Sequence, residues 1–97
     1  MAHLINLGIQ IVPIDKADAG YPIIDACIEK IKASSIPYTV TPFETVLEGD
    51  YQCIMRLVDE LYDFALSQTD ELVINIRMHA KKNADVIGSE KTDKFNH

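Results

Sequence analysis

The chain has 97 residues, 47% of them hydrophobic and 25% charged, with a formal net charge of -6. A chain of that length fits one domain burying about two-thirds of its unfolded surface, and this composition is that of an ordinary globular chain and argues against disorder. The acidic balance argues against nucleic acid, whose phosphates demand clustered Lys and Arg, and no apolar run approaches bilayer length.

The opening residues, Met1-Ala2-His3-Leu4, lack the charged region and long apolar run of a signal peptide, so a cytoplasmic protein is expected. Residues 4–12 read LINLGIQIV. Ile5, Leu7, Ile9 and Ile11 alternate with Asn6, Gly8 and Gln10, the period of a strand with one buried face. Pro13 is expected to end regular pairing. Residues 15–20 read as a loop, and Pro22 suits the first turn of a helix. Ile24, Ile28 and Ile31 then recur at helical spacing beside Cys27, until Ser34-Ser35 and Pro37 close the helix.

Residues 38–41 (YTVT) and 43–48 (FETVLE) predict two short strands joined at Pro42 as a hairpin. Gly49-Asp50 punctuates, and Asp50 suits the N-cap of a second helix. The apolar stripe of that helix is Ile54, Val58, Leu61 and Ala65, widened by Met55, Leu57 and Tyr62. A last strand follows at 72–79 (LVINIRMH), where Leu72, Ile74, Ile76 and Met78 alternate with Val73, Asn75, Arg77 and His79. The segment 82–97 is a polar tail that either adds one helical turn around Ser89 to Lys94 or frays.

The order strand, helix, strand, strand, helix, strand is the split β-α-β pattern. It predicts one α+β domain over residues 1–97, a ferredoxin-like βαββαβ sandwich. Both helices carry a single apolar stripe, so both cover the same face of a four-stranded antiparallel sheet. Right-handed crossovers are expected to bring the first and last strands side by side at the centre of the sheet, or to place one of them beside the centre. The opposite face carries Asn6, Gly8, Gln10, Asn75, Arg77 and His79, and no part of the chain is left to cover it. Solvent, a ligand or a second subunit must.

No catalytic set emerges. His3, His79 and His97 sit beside no nucleophile signature, and the four glycines are isolated rather than gathered in a phosphate loop. Cys27 and Cys53 read as small hydrophobes, with no CxxC spacing for metal or redox work. The segment 38–50, YTVTPFETVLEGD, is richer. It brings Thr39, Thr41, Thr45 and Glu48 close together. Glu48 ends an apolar strand run, where a carboxylate is exposed, held by backbone amides of the second helix, or used on a ligand.

The pattern Val12-Pro13, then Tyr38-x-x-x-Pro42-x-x-Thr45-x-x-Glu48-Gly49, then Ile54-Met55 resembles the small thiamine-binding protein family, once a domain of unknown function. The resemblance runs from about Leu4 to the last strand, with Gly88-Ser89-Glu90-Lys91 similar to the family's closing turn. It implies a ferredoxin-like fold and no catalysis. It implies binding of thiamine or its hydroxymethylpyrimidine half, for sequestration or delivery, with no further cofactor. It also implies homodimers or homotetramers formed through the sheet face. The family motif puts Thr45 and Glu48 at the site and the Pro42 loop around it.

Gln10, Asn75, Thr39 and Thr45 then offer donors and acceptors to the aminopyrimidine edge. Glu48 accepts from its amine or offsets the thiazolium charge, and Tyr38 or Phe43 can stack on a ring. Ordinary core packing is the competing role for both aromatics. Alternation sets Phe43, Thr45 and Leu47 on one side of the strand and Glu44, Val46 and Glu48 on the other. Thr45 and Glu48 therefore meet one ligand from different sides, across a subunit boundary or through a bulge. With no basic phosphate cradle legible in the sequence, the unphosphorylated vitamin is expected. The competing reading is a regulatory or structural oligomeric module with another small ligand or none.

Overall fold

A computed structural model describes residues 3–14 and 17–95. The chain folds as β1 (Leu4–Pro13), α1 (Ala17–Ala33), β2 (Tyr38–Val40), β3 (Thr45–Asp50), α2 (Tyr51–Gln68), β4 (Leu72–His79) and a short α3 (Gly88–Thr92), with a 3-10 turn at Asp93–Phe95. The four strands form one antiparallel sheet in the order β2-β3-β1-β4. This is the expected α+β arrangement. β1 lies inside the sheet beside β4, and β4 forms an edge.

Alternation along β1 sends Ile5, Leu7 and Ile9 into the core with Leu47 of β3. Ile23, Cys27 and Ile31 of α1 meet them there, as do Ile54, Leu57, Val58, Leu61 and Ala65 of α2, so both helices cover one face. On β4, Leu72 and Ile74 pack against this core, whereas Ile76 and Met78 stay 41% and 43% exposed. An edge strand is flanked on one side only, and the far half of β4 escapes the helices.

Three boundaries differ from the sequence expectation. Pro13 still pairs with Leu72, because a strand tolerates proline where no N–H is needed. Of the expected loop, residues 15–16 lie outside the described residues and 17–20 are helix; Ala17 and Ala19 favour that earlier start. Pro22 therefore falls inside α1 rather than in its first turn. β3 begins two residues late, because the Thr41 hydroxyl ties off a tight turn. It donates to the Glu44 carbonyl at 2.6 Å and accepts from the Phe43 and Glu44 amides at 3.3 and 3.1 Å. Ser35 takes φ 65° just after α1, and the Ser34 hydroxyl accepts from the Ile36 amide at 3.1 Å to set the exit.

Asp50 caps α2 as expected, its carboxylate accepting from the Cys53 amide at 3.1 Å. Asp50→Ala is expected to cost about 1 kcal/mol of stability. Urea unfolding of the two proteins checks it, with the loss appearing in the midpoint and not in the slope.

The polar tail is the largest correction. It was expected to leave the face opposite the helices bare, and it covers one end of it. The Val86 amide donates to the Leu4 carbonyl at 2.9 Å, and the Leu4 amide donates to Asp85 at 2.7 Å. Val86 is buried, and α3 follows where a turn or a frayed end were both open.

Candidate functional site

Two concavities flank the β2–β3 hairpin tip, one on each face of the sheet. They share only Thr41 and Glu44.

The first is a groove of ≈ 470 Å³ on the helix face, between α1, the hairpin tip and the end of β1. That lies in the usual range for small-molecule pockets, roughly 300–1,000 Å³. Its existence follows from unequal strand lengths. β1 pairs with β4 as far as Pro13, but with β3 only as far as Ile9, opposite Thr45. Beyond Ile9 the chain of the hairpin turns away, and β1 has a vacant side. The Ile14 amide donates to the Glu71 carbonyl at 3.0 Å, on the β4 side. Strand backbone groups alternate in direction, so even-numbered β1 residues face β4 and odd-numbered ones face β3. Ile11 therefore aims its N–H and C=O at the vacant side, where no strand meets them. That side opens into the groove, which Ile11 lines.

Ile24, Cys27, Ile28 and Ile31 supply an apolar wall. Thr45 stands on the same face, 7% exposed, and no hydrogen bond among the described residues engages its hydroxyl. Phe43 is 81% exposed at the rim rather than packed in the core. Burial pushes the Cys27 thiol up in pKa, with Lys30 pulling less strongly the other way. The one sulfur nucleophile lining the groove is thus held as a neutral thiol.

The second concavity is a wider basin of ≈ 760 Å³ on the opposite face. Register places Asn6, Gly8, Thr39, Val46, Glu48, Arg77 and His79 there. The tail forms its far wall with Gly88, Ser89 and Lys91. Glu48 is already occupied: its Oε1 accepts from Asn6 Nδ2 at 3.0 Å and from the Gly88 amide at 2.6 Å. Asn6, only 7% exposed, also donates to the Val86 carbonyl at 3.0 Å.

The residues expected to form one site are thus divided. Gln10, Phe43 and Thr45 line the groove; Thr39, Tyr38 and Glu48 line the basin. Asn75 borders neither and donates to Gln10 Oε1 at 3.0 Å. No bulge brings Thr45 and Glu48 together, because the β1–β3 register runs unbroken from Ile9↔Thr45 to Leu4↔Asp50. Sequence reasoning missed Ile11, whose contribution is backbone, and Glu44. The Glu44 carboxylate lies over Gly8, 2.6 Å from where a Cβ would stand, and borders both concavities. No group of three or more His, Cys, Asp or Glu among the described residues is arranged to hold a metal.

Known proteins show the same architecture. A Bacillus cereus domain of unknown function, DUF77, superposes with a TM-score of 0.89 at 25% identity, covering 98% of this chain and 92% of that one. A Thermotoga maritima protein assigned provisionally to thiamine biosynthesis or salvage gives 0.87 at 27% identity, covering 95% and 98%. A UPF0045 protein of Clostridium perfringens is 27% identical over 90 residues, 93% of this chain and 95% of its own length. The profile of the family described as Thiamine-binding protein matches residues 7–96, from the middle of β1 through the closing turn. With that match spanning every element of the fold, the chain belongs to the thiamine-binding protein family.

Proposed function

We propose that this protein binds thiamine or its hydroxymethylpyrimidine half without transforming it, and that the groove beside α1 is the site. The observation that carries this reading is the vacant side of β1. The Ile11 N–H and C=O offer a donor and an acceptor in one plane beside the unengaged Thr45 hydroxyl. An aminopyrimidine presents the complement, a ring nitrogen that accepts next to an amine that donates. Apolar side chains of α1 flank the ring, and Phe43 or Tyr21 at the rim can cover it. The chain's net charge of -6 favours approach of the cationic thiazolium. A neutral Cys27, with Lys30 as its charged neighbour among the described residues, supports binding over catalysis. In this reading the protein stores or delivers the vitamin in the cytoplasm and needs no further cofactor. Among the described residues no helix is long and apolar enough to cross a membrane.

Calorimetric titration with thiamine, hydroxymethylpyrimidine and thiamine diphosphate tests the proposal. Saturable heat with either of the first two supports it, and none from all three overturns it. Glu44 supplies a finer prediction. Among the described residues its carboxylate is the acidic group that lines the groove, so Glu44→Gln is expected to weaken thiamine binding roughly two- to fivefold. The neutral hydroxymethylpyrimidine is expected to bind unchanged. Equal losses for both ligands would make Glu44 a positional residue rather than a charge partner.

We also propose self-association into a homodimer or homotetramer through the sheet. Its support is the edge strand β4, which leaves apolar side chains more than two-fifths exposed on both faces, Val73 on the open face and Ile76 and Met78 on the other. Light scattering checks it; a monomer at high concentration contradicts it.

A further inference from the structure

The charges of this chain are unevenly distributed. Residues 77–94 hold five of the nine Lys and Arg but only three of the fifteen Asp and Glu. The fold brings two of those five cations, Arg77 and Lys91, to the basin on the face opposite the helices, across the sheet from the groove. Arg77 and His79 are two residues apart on β4, so both project from that face roughly 7 Å apart. Lys91 reaches over from α3, its Nζ 2.5 Å from His79 Nδ1. That contact holds the Lys91 ammonium beside the imidazole, on the face from which Arg77 projects. Among the described residues neither Arg77 nor Lys91 forms an ion pair.

Two carboxylates also border the basin, and neither neutralises these cations. Glu48 is turned toward Asn6 and the Gly88 amide. Glu44 lies over Gly8, the residue that β4 pairs with Arg77. No described hydrogen bond fixes its carboxylate, so it can withdraw at little cost.

We propose that this basin is a second ligand site, for a small phosphate-bearing anion. The guanidinium of Arg77 can take two oxygens of one phosphate, and Lys91 supplies a point charge on the same face. Hydroxyls of Thr39 and Ser89 also line the basin. The basin is concave, and the rest of the chain carries twelve acidic residues against four basic ones. Those features select a compact anion over an extended polyanion, which that acidic surface repels. The spacing of 77, 79 and 91 in the sequence hides the cluster; only the fold-back of the tail assembles it.

The test is a titration of the full chain with inorganic phosphate and with pyrophosphate, followed by amide NMR against chloride at equal ionic strength. Saturable shifts at Gly8, Arg77 and Gly88 are expected, with a dissociation constant of about 1 mM or tighter. Arg77→Ala and Lys91→Ala are each expected to weaken binding at least tenfold, with the spectra otherwise folded. Glu44→Gln is expected to tighten it severalfold, which a purely structural Glu44 would not do. Shifts that never saturate, or that survive both alanine variants unchanged, overturn the proposal. Tighter binding of a single-stranded RNA than of phosphate also overturns it. Thiamine titrations on the same variants read the groove separately, so failure of one site leaves the other standing.

Discussion

Replacing Thr45 with valine is expected to weaken binding of both thiamine and hydroxymethylpyrimidine about tenfold, whereas Glu48→Gln is expected to leave affinity within about twofold. The two residues sit three positions apart and on opposite faces of the sheet. Thr45 is nearly buried in the groove wall with a hydroxyl that the described protein groups do not use. Valine keeps the shape and the β-branching, so the strand is undisturbed. Only the hydroxyl is lost, and a ligand group left unpaired in a partly apolar site costs about 1–3 kcal/mol. One such loss corresponds to roughly tenfold in affinity. Thr45→Ser restores the hydroxyl and should restore most of the binding.

Glu48 lies on the other face of the sheet from Thr45. Its Oε1 joins β3 to β1 through Asn6 and to the tail through Gly88. Glutamine keeps an acceptor there but loses the charge that strengthens both bonds, so a stability loss of about 1 kcal/mol is expected instead. Titration and urea unfolding on the same two variants separate the cases. If Glu48→Gln abolishes binding and Thr45→Val does not, the ligand lies in the basin or at a subunit boundary, and the groove is not the site.

How much of this could be read beforehand depends on where the information resides. β1 was legible because Ile5, Leu7 and Ile9 alternate over enough residues to fix a face. α2 was legible because Asp50 marks its start and Ile54, Val58, Leu61 and Ala65 its inner stripe. The opposite orientations of Thr45 and Glu48 also follow from alternation alone. The hairpin shifted by two residues because the Thr41 hydroxyl makes a turn that strand propensity does not register. The groove's donor and acceptor were invisible for a deeper reason. They belong to the backbone of Ile11, and they are exposed only because β3 stops short of its neighbour. No side-chain pattern encodes a missing partner. The cluster of Arg77, His79 and Lys91 likewise depends on a chain reversal spanning a segment with almost no apolar periodicity.

That reversal rests on few contacts, and deleting it is expected to be costly. Ending the chain after Asn83 should lower stability by about 2–4 kcal/mol and the melting temperature by more than about 10 °C, a large share for a domain of this size. Val86 is 1% exposed, and returning a valine to water loses roughly 1.5 kcal/mol or more. Deletion also strips the Val86 carbonyl from Asn6 and the Gly88 amide from Glu48, two part-buried groups that then need water. Against this, the freed tail recovers conformational entropy, which is why the expected loss is smaller than the sum of its contacts. Val86→Asp in the full-length chain separates burial from length. It puts a carboxylate where no described cation waits, and it should unfold the protein about as readily as the deletion does. If both variants melt within about 2 °C of the parent, the fold-back is a loosely held appendage and the basin has no fixed far wall. If both fall together, the tail is a structural part of the sheet's open face. Lys91 is then delivered to His79 by Val86, and the phosphate-dependent shifts should vanish with the same truncation.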